Sequence, residues 1–244
     1  MTGSKVAIVT GGSRGIGRAV AERLASDGVA VAITYARSSE AAQEMVRTVR
    51  HGGGRAVAIR ADVSDAEQVK ALFAQTGSEF GGVDFVVAAA GIMRPALMVE
   101  TTDTDFSEHV EVNIRGTFNA LREAARRVRD GGRIITFSST TLTLNAPGYG
   151  IYNASKGAVE GFTRVLAKEL GPRGITVNAV APGPVETELF LTGKSAGDIE
   201  RLASLAPLHR IGQPVDISDA VSLLVSADAG WINGQIVRVN GGAA

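Results

Sequence analysis

Short apolar runs alternate with longer amphipathic stretches along the whole chain. The runs are Val6–Thr10, Ala30–Thr34, Ala56–Arg60, Phe85–Ala88, Arg133–Ser138, Thr176–Val180 and Gln235–Val239. They are rich in Val and Ile and mostly lack the in–out alternation of a half-exposed strand. Such runs predict strands buried on both faces, hence a parallel sheet covered by helices. The stretches between them have helical spacing: Ile16–Ser26, Ser39–His51, Asp65–Glu79, an acidic start near Asp103 leading into Asn113–Arg129, Tyr152–Leu170 and Pro214–Ser226. This order predicts a Rossmann-like, doubly wound α/β sheet of about seven parallel strands with helices on both faces. No linker or repeat interrupts it, so residues 1–244 are read as a single domain. Thr187–Leu208 breaks the rhythm after a strand C-terminus, where insertions often cover a ligand crevice. Residues 187–208 are expected to form a substrate lid or, more plainly, a surface helical pair.

Charge and composition remove several function classes. The 25 basic residues balance 25 acidic ones, so no global field exists to hold a nucleic acid. Absence of cysteine excludes disulfides, thiol nucleophiles and cysteine-ligated zinc. His51, His109 and His209 are widely spaced, so no metal site is expected and each reads as a surface or core residue. No apolar run approaches the ~20 residues of a membrane span. The N-terminus lacks a signal pattern, and a cytoplasmic location is expected.

The first strand leads into Gly11-Gly12-Ser13-Arg14-Gly15-Ile16-Gly17 and then a helix. Glycines there let backbone approach a pyrophosphate, and the helix start offers free N–H groups and a positive dipole end. Gly17 is expected to let the helix pack closely on the first strand. The second strand ends in Tyr35-Ala36-Arg37-Ser38, without the acid that usually binds a ribose 2′-hydroxyl. Arg37, with Arg14 reaching the same corner, suits a 2′-phosphate, so NADP(H) is the expected cofactor. Asp62 and Val63 follow the third strand, where they can hold an adenine amino group and flank its ring. Asp62 also reads as a helix cap, a role for which Ser64 competes. Ala88, Ala89, Ala90 and Gly91 are small enough for a cofactor to pass closely.

Tyr152 and Lys156, at i,i+4, share one helix face. A cation beside a tyrosine stabilises the phenolate and lowers its pKa, which turns a weak acid into a usable proton donor and acceptor. Ser139, at a strand end facing the crevice, can donate to a substrate carbonyl. Asn113 sits inside a helix against its propensity, and a water at a kink would explain it.

Taken together, the chain resembles the short-chain dehydrogenase/reductase family from end to end. Gly11, Gly15 and Gly17 match the coenzyme motif; Asn113, Ser139, Tyr152 and Lys156 match the catalytic tetrad. Pro182-Gly183 matches the family's turn after the sixth strand, with Val185 and Thr187 at positions that contact the nicotinamide carboxamide. The second-strand end resembles NADPH-using members, including 3-oxoacyl-acyl-carrier-protein reductases. Ala88 departs from the family's Asn, whose bracing of the sheet is expected to pass to water or another side chain.

The resemblance implies hydride transfer between NADP(H) and a carbonyl or secondary alcohol, with Tyr152 as general acid/base. Ser139 polarises the oxygen. Lys156 binds the nicotinamide ribose and lowers the Tyr152 pKa, and the Asn113 carbonyl holds a water leading to solvent. Substrate candidates by position are Met93, Arg94, Pro95, Leu97, Leu142, Leu144, Asn145, Tyr149 and Phe190–Leu191, mostly apolar. A small-molecule carbonyl partner and a homotetramer are expected. A 3-oxoacyl-acyl-carrier-protein reductase, with Arg129 and Arg173 meeting an acidic carrier, is the alternative. A non-catalytic NADP sensor is disfavoured by the intact tetrad.

Overall fold

The computed structural model describes residues 4–244. Residues 1–3 of the expected domain lie outside that range. Seven strands form one sheet: β1 Val6–Thr10, β2 Ala30–Tyr35, β3 Ala56–Arg60, β4 Val83–Ala88, β5 Val128–Phe137, β6 Thr176–Pro182 and β7 Ile236–Val239. Every pairing is parallel, in the order β3-β2-β1-β4-β5-β6-β7. The chain winds outward from β1, returns to β4 and winds outward the other way. That reversal opens a crevice above the carboxyl ends of β1 and β4.

Helices α1 (Gly15–Ser26) and α2 (Ser39–His51) cover one face, and α3 (Ala66–Phe80) the other. On α3's side follow α4 (Asp103–His109), a π turn (Val110–Arg115) and α5 (Gly116–Arg127) as one continuous run. A short α6 (Thr141–Leu144) precedes the long α7 (Gly150–Leu170). Between β6 and β7 come α8 (Glu188–Leu191), α9 (Ala196–Ala203) and α10 (Pro214–Val225), the last returning to α1's face.

The apolar runs behave as both-face strands require. Ala7 and Val9 pack under α1 and α2, while Ile8 between them packs toward α3 and α5. All five β1 residues are buried. Full burial of one such Ile or Val contributes about 1.5–3 kcal/mol.

Several boundaries differ from expectation, most of all those of α5, β4 and β5. The helix predicted to Arg129 ends at Arg127, because Val128 turns extended (φ −66, ψ 133) and pairs with Val83. Both β4 and β5 therefore start earlier than their apolar runs, with an irregular register between Val83 and Phe85. At α3 the cap is Asp65, not Asp62 or Ser64: its carboxylate accepts from the Glu67 and Gln68 N–H groups. Residues 187–208 do contain a helical pair, α8 and α9, the second opened by a reciprocal Ser195–Asp198 capping box. Among the described residues, no helix is long and apolar enough to cross a membrane.

Candidate active site

β1 feeds the glycine turn directly over the crevice. Gly11 has φ 66, and a Cβ there would lie 2.9 Å from the Ala90 Cα. A Cβ on Gly17 would lie 2.3 Å from the Gly11 carbonyl oxygen. Gly17 thus closes the turn on itself, a tighter demand than the expected packing on β1. Hydroxyls hold the turn to its neighbours: Thr34 Oγ1 accepts from the Gly11 N–H and Thr10 Oγ1 from the Ala90 N–H, both at 3.1 Å. No side chain caps α1. Its first-turn N–H groups and positive dipole end are available to an anion, beside buried Ser13 and half-buried Ile16. A cradle that a Cβ would fill, at an uncapped helix start, fits a dinucleotide diphosphate. Ala89, Ala90 and Gly91 form its small-residue wall.

At the end of β2, Tyr35 is half-buried, while Ala36, Arg37 and Ser38 are exposed. Arg14, in the glycine turn, is exposed as well. Its Nη1 pairs with Glu188 Oε2 of α8 at 3.4 Å, joining the glycine turn to the segment expected as a lid. The Asp62 carboxylate accepts from the Ser64 N–H (2.9 Å) and Oγ (2.7 Å). The Val63 side chain is buried against α5, where a Cβ on Gly116 would meet it at 2.5 Å.

Beyond β5, Ser138 donates to Glu160 Oε1 of α7 at 2.7 Å. Ser139 faces the Tyr152 phenol. Its Oγ is oriented by the Thr141 N–H (3.2 Å) and Oγ1 (2.9 Å). Lys156, one α7 turn past Tyr152, donates from Nζ to the Phe137 carbonyl at 2.9 Å and lies 5.6 Å from the Tyr152 ring centre. Burial pushes the Tyr152 phenol up to about 12; the Ser139 hydrogen bond opposes this and Tyr149 adds to it. Burial also brings the Lys156 ammonium down to about 8. Burial, rather than Lys156, is the leading influence on the Tyr152 phenol here. The ammonium is directed at a main-chain carbonyl, and burial acts on both groups in favour of their neutral forms. What stands in the crevice at neutral pH is a protonated phenol.

Asn113 lies in the π turn and is 1% exposed. Its partner is a peptide rather than the expected water. Oδ1 accepts from the Ile92 N–H (2.8 Å), and Nδ2 donates to the Ile92 carbonyl (2.9 Å) and Ser155 Oγ (3.0 Å). Three bonds of about 1 kcal/mol each outweigh its poor helix propensity. Gly91 sits under this group: a Cβ there would lie 3.3 Å from Asn113 Oδ1 and 3.6 Å from Lys156 Nζ.

The substrate candidates separate. Tyr149 is half-buried with its ring 6.3 Å from that of Tyr152, and Met93 and Leu142 are half-buried. Asn145 is exposed with φ 49 and ends α6 as a left-handed cap, which accounts for its presence. Pro182 ends β6, Gly183 packs against Asn240, and Val185 is buried in the core. Thr187 caps α8 through the Phe190 N–H at 3.2 Å, and its methyl would meet a Cβ on Gly15 at 3.5 Å. Phe190 lies under Lys194, Nζ 4.4 Å from its ring centre.

His109, which the sequence offers only as a surface or core residue, lies at this site. It is buried and edge-on to Tyr152, with ring centres 6.5 Å apart. Its i,i+4 spacing to Asn113 was the available signal.

A family model described as Enoyl-(Acyl carrier protein) reductase matches residues 11–244. Versicolorin reductase 1 of Aspergillus parasiticus is 43% identical over 251 residues, covering 98% of this chain and 96% of that protein. The solved structure of a dehydrogenase/reductase from Sinorhizobium meliloti matches with a TM-score of 0.94 at 43% identity, covering 99% of this chain and 95% of that one. A short chain dehydrogenase from Burkholderia cenocepacia, solved in complex with NADP, matches with a TM-score of 0.93 at 40% identity, covering 99% and 98%. With the seven-stranded sheet and these relatives over nearly its whole length, the chain belongs to the short-chain dehydrogenase/reductase family of oxidoreductases.

Proposed function

We propose that the protein is an NADP(H)-dependent carbonyl reductase acting on free, mostly apolar ketones, with Tyr152 as the general acid. The observation that carries this reading is the grouping of Tyr152 with Ser139 against its phenol and Lys156 one helical turn away, Nζ 5.6 Å from the ring centre. A bound nicotinamide supplies or accepts hydride. Ser139 and Tyr152 donate hydrogen bonds to the carbonyl oxygen, and Tyr152 delivers its proton as alkoxide develops. Lys156, whose Nζ donates to the Phe137 carbonyl, would hold the nicotinamide ribose hydroxyls. The π turn, a frequent feature of functional sites, supports a proton path past the Asn113 carbonyl. Glycines 11, 15 and 17 seat the diphosphate, exposed Arg37 meets a 2′-phosphate, and residues 187–208 act as a lid. The NADP held by the Burkholderia relative supports the cofactor choice.

The carrier-protein alternative loses support from its own residues. Arg129 pairs with Asp84 and the Gly81 carbonyl; Arg173 pairs with Asp130 and the carbonyls of Ala125 and Val128. Near the site, Arg94 is held by Glu108 and Asp105. These cations are already occupied within the chain. The family description names a carrier, whereas the Aspergillus relative is a reductase of versicolorin. Exposed Phe118, Val165 and Trp231 support assembly into the expected homotetramer.

Tyr152→Phe is the test. It is expected to keep NADPH binding and lose turnover by about 10²–10⁴-fold. Wild-type turnover in the variant would overturn the assignment. Parallel assays of simple ketones and acetoacetyl thioesters separate the two substrate readings.

A further inference from the structure

His109 is a buried histidine that the proposed chemistry leaves unused. It is 1% exposed and ends α4. Nδ1 lies 2.8 Å from the Asp105 carbonyl oxygen, so Nδ1 carries the proton and donates. Nε2 accepts from the Arg94 main-chain N–H at 3.4 Å. The ring stands edge-to-face to Tyr152, planes inclined at 77°. Only the neutral Nδ1–H tautomer satisfies both polar contacts. The charged side chains around it are Arg94, Asp105 and Glu108, which are paired with one another.

His109 and Asn113 face the same segment, the stretch leaving β4. Asn113 holds the peptide of Ile92 and His109 holds that of Arg94. Ile92 and Arg94, two residues apart, are thus both held by the run of α4 and the π turn. Two residues on, the Ala96 N–H donates to the Gly148 carbonyl at 2.9 Å, in the loop entering α7. The segment is thus tied at one end to α4 and at the other to the turn that presents Tyr152.

We infer that His109 is a positioning residue for carbonyl reduction: as a neutral acceptor and an aromatic edge, it fixes residues 92–96 and the Tyr152 ring, and so the approach of the phenol to the carbonyl oxygen. The inference rests on the Tyr152 reading above.

His109→Phe keeps the aromatic edge and removes both polar contacts. His109→Gln keeps an acceptor for the Arg94 N–H. Both are compared with Tyr152→Phe for kcat, KM toward an apolar ketone, NADPH Kd by fluorescence, and Tm. His109→Phe is expected to hold NADPH within about 2-fold while kcat falls about 10–100-fold, the scale of a 1 Å misplacement. His109→Gln should recover most of that loss. Unchanged kcat in His109→Phe, or equal loss in Phe and Gln variants, overturns the inference. Should His109→Phe fail to fold, nitrogen-detected NMR of the wild-type imidazoles decides. An Nδ1–H tautomer is expected for His109, and an Nε2–H tautomer overturns the inference. Turnover surviving in Tyr152→Phe overturns the acid–base reading. Turnover lost there but kept in His109→Phe overturns only the present one.

Discussion

The Lys156 ammonium nitrogen lies 2.9 Å from the Phe137 carbonyl and 5.6 Å from the centre of the Tyr152 ring. It is held over the face of a phenol that stays protonated. The two groups respond to pH in opposite senses. Lys156 titrates near 8 when folded, against 10.5 for an ordinary lysine, so between those values the unfolded chain binds the extra proton. Its contribution to stability therefore rises with pH across that window. Tyr152, raised from 10.0 to about 12, keeps a proton that the unfolded chain has lost, so its contribution falls above pH 10. Cofactor-free wild type is expected to gain Tm relative to Lys156→Met between pH 8 and 10.5. A pH-independent difference would contradict the buried-ammonium account.

Arg14 and Arg37 predict separable effects on cofactor choice. Arg37 is exposed at the end of β2, while Arg14 is drawn to Glu188. Arg37→Glu is expected to weaken NADPH binding about 10-fold or more, the scale of one charge-assisted hydrogen bond, and to leave NADH within about 2-fold. Glu188→Gln frees Arg14 and should tighten NADPH by a few-fold at most, because an exposed pair contributes only about 0–1 kcal/mol. Titration of both nucleotides at low and moderate salt measures each effect. Equal changes for NADPH and NADH would remove the 2′-phosphate from the account.

Ala88 raises the question of what braces β1 to β4. Ala88 is buried and pairs with Thr10 in the sheet; Thr10 Oγ1 then accepts from the Ala90 N–H. Thr10→Val removes that acceptor with little change of shape. It should cost about 0.5–1.5 kcal/mol, the net worth of one hydrogen bond, and weaken dinucleotide binding through the Gly11–Ala90 contact. Denaturant melts and NADPH titration test it. Ala88→Asn restores the family residue; if Tm and cofactor affinity both stay unchanged, Ala88 carries no bracing consequence.

Strands and long helices were legible because both-face burial and helical spacing each leave a strong periodic mark. The run Val6–Thr10 was legible to the residue. The start of β5 was not: Val128 pairs with Val83 through tertiary context, where the local pattern runs on as helix to Arg129. The glycine turn and the tetrad were legible as residue types at fixed spacing. Their charge states were not, since the shifts of Tyr152 and Lys156 come from burial by elements distant in sequence. Arg14 looked equivalent to Arg37 until α8 brought Glu188 beside it. His109 was hidden because one histidine carries no pattern; its meaning lies in Arg94 and Tyr152, which it touches only after folding.

The π turn between α4 and α5 sets an angular phase. An α-helix rotates about 100° per residue, so the extra residue of a π turn shifts everything before it relative to everything after. Here it lets α5 bury Leu121 and Ala124 against the sheet while His109 and Asn113 point at the segment leaving β4. Deleting one residue from Val110–Arg115 would keep the helix continuous and its length almost intact. It would turn one of these two faces away from its partner, so the core and the reaction centre could no longer be served by a single helix.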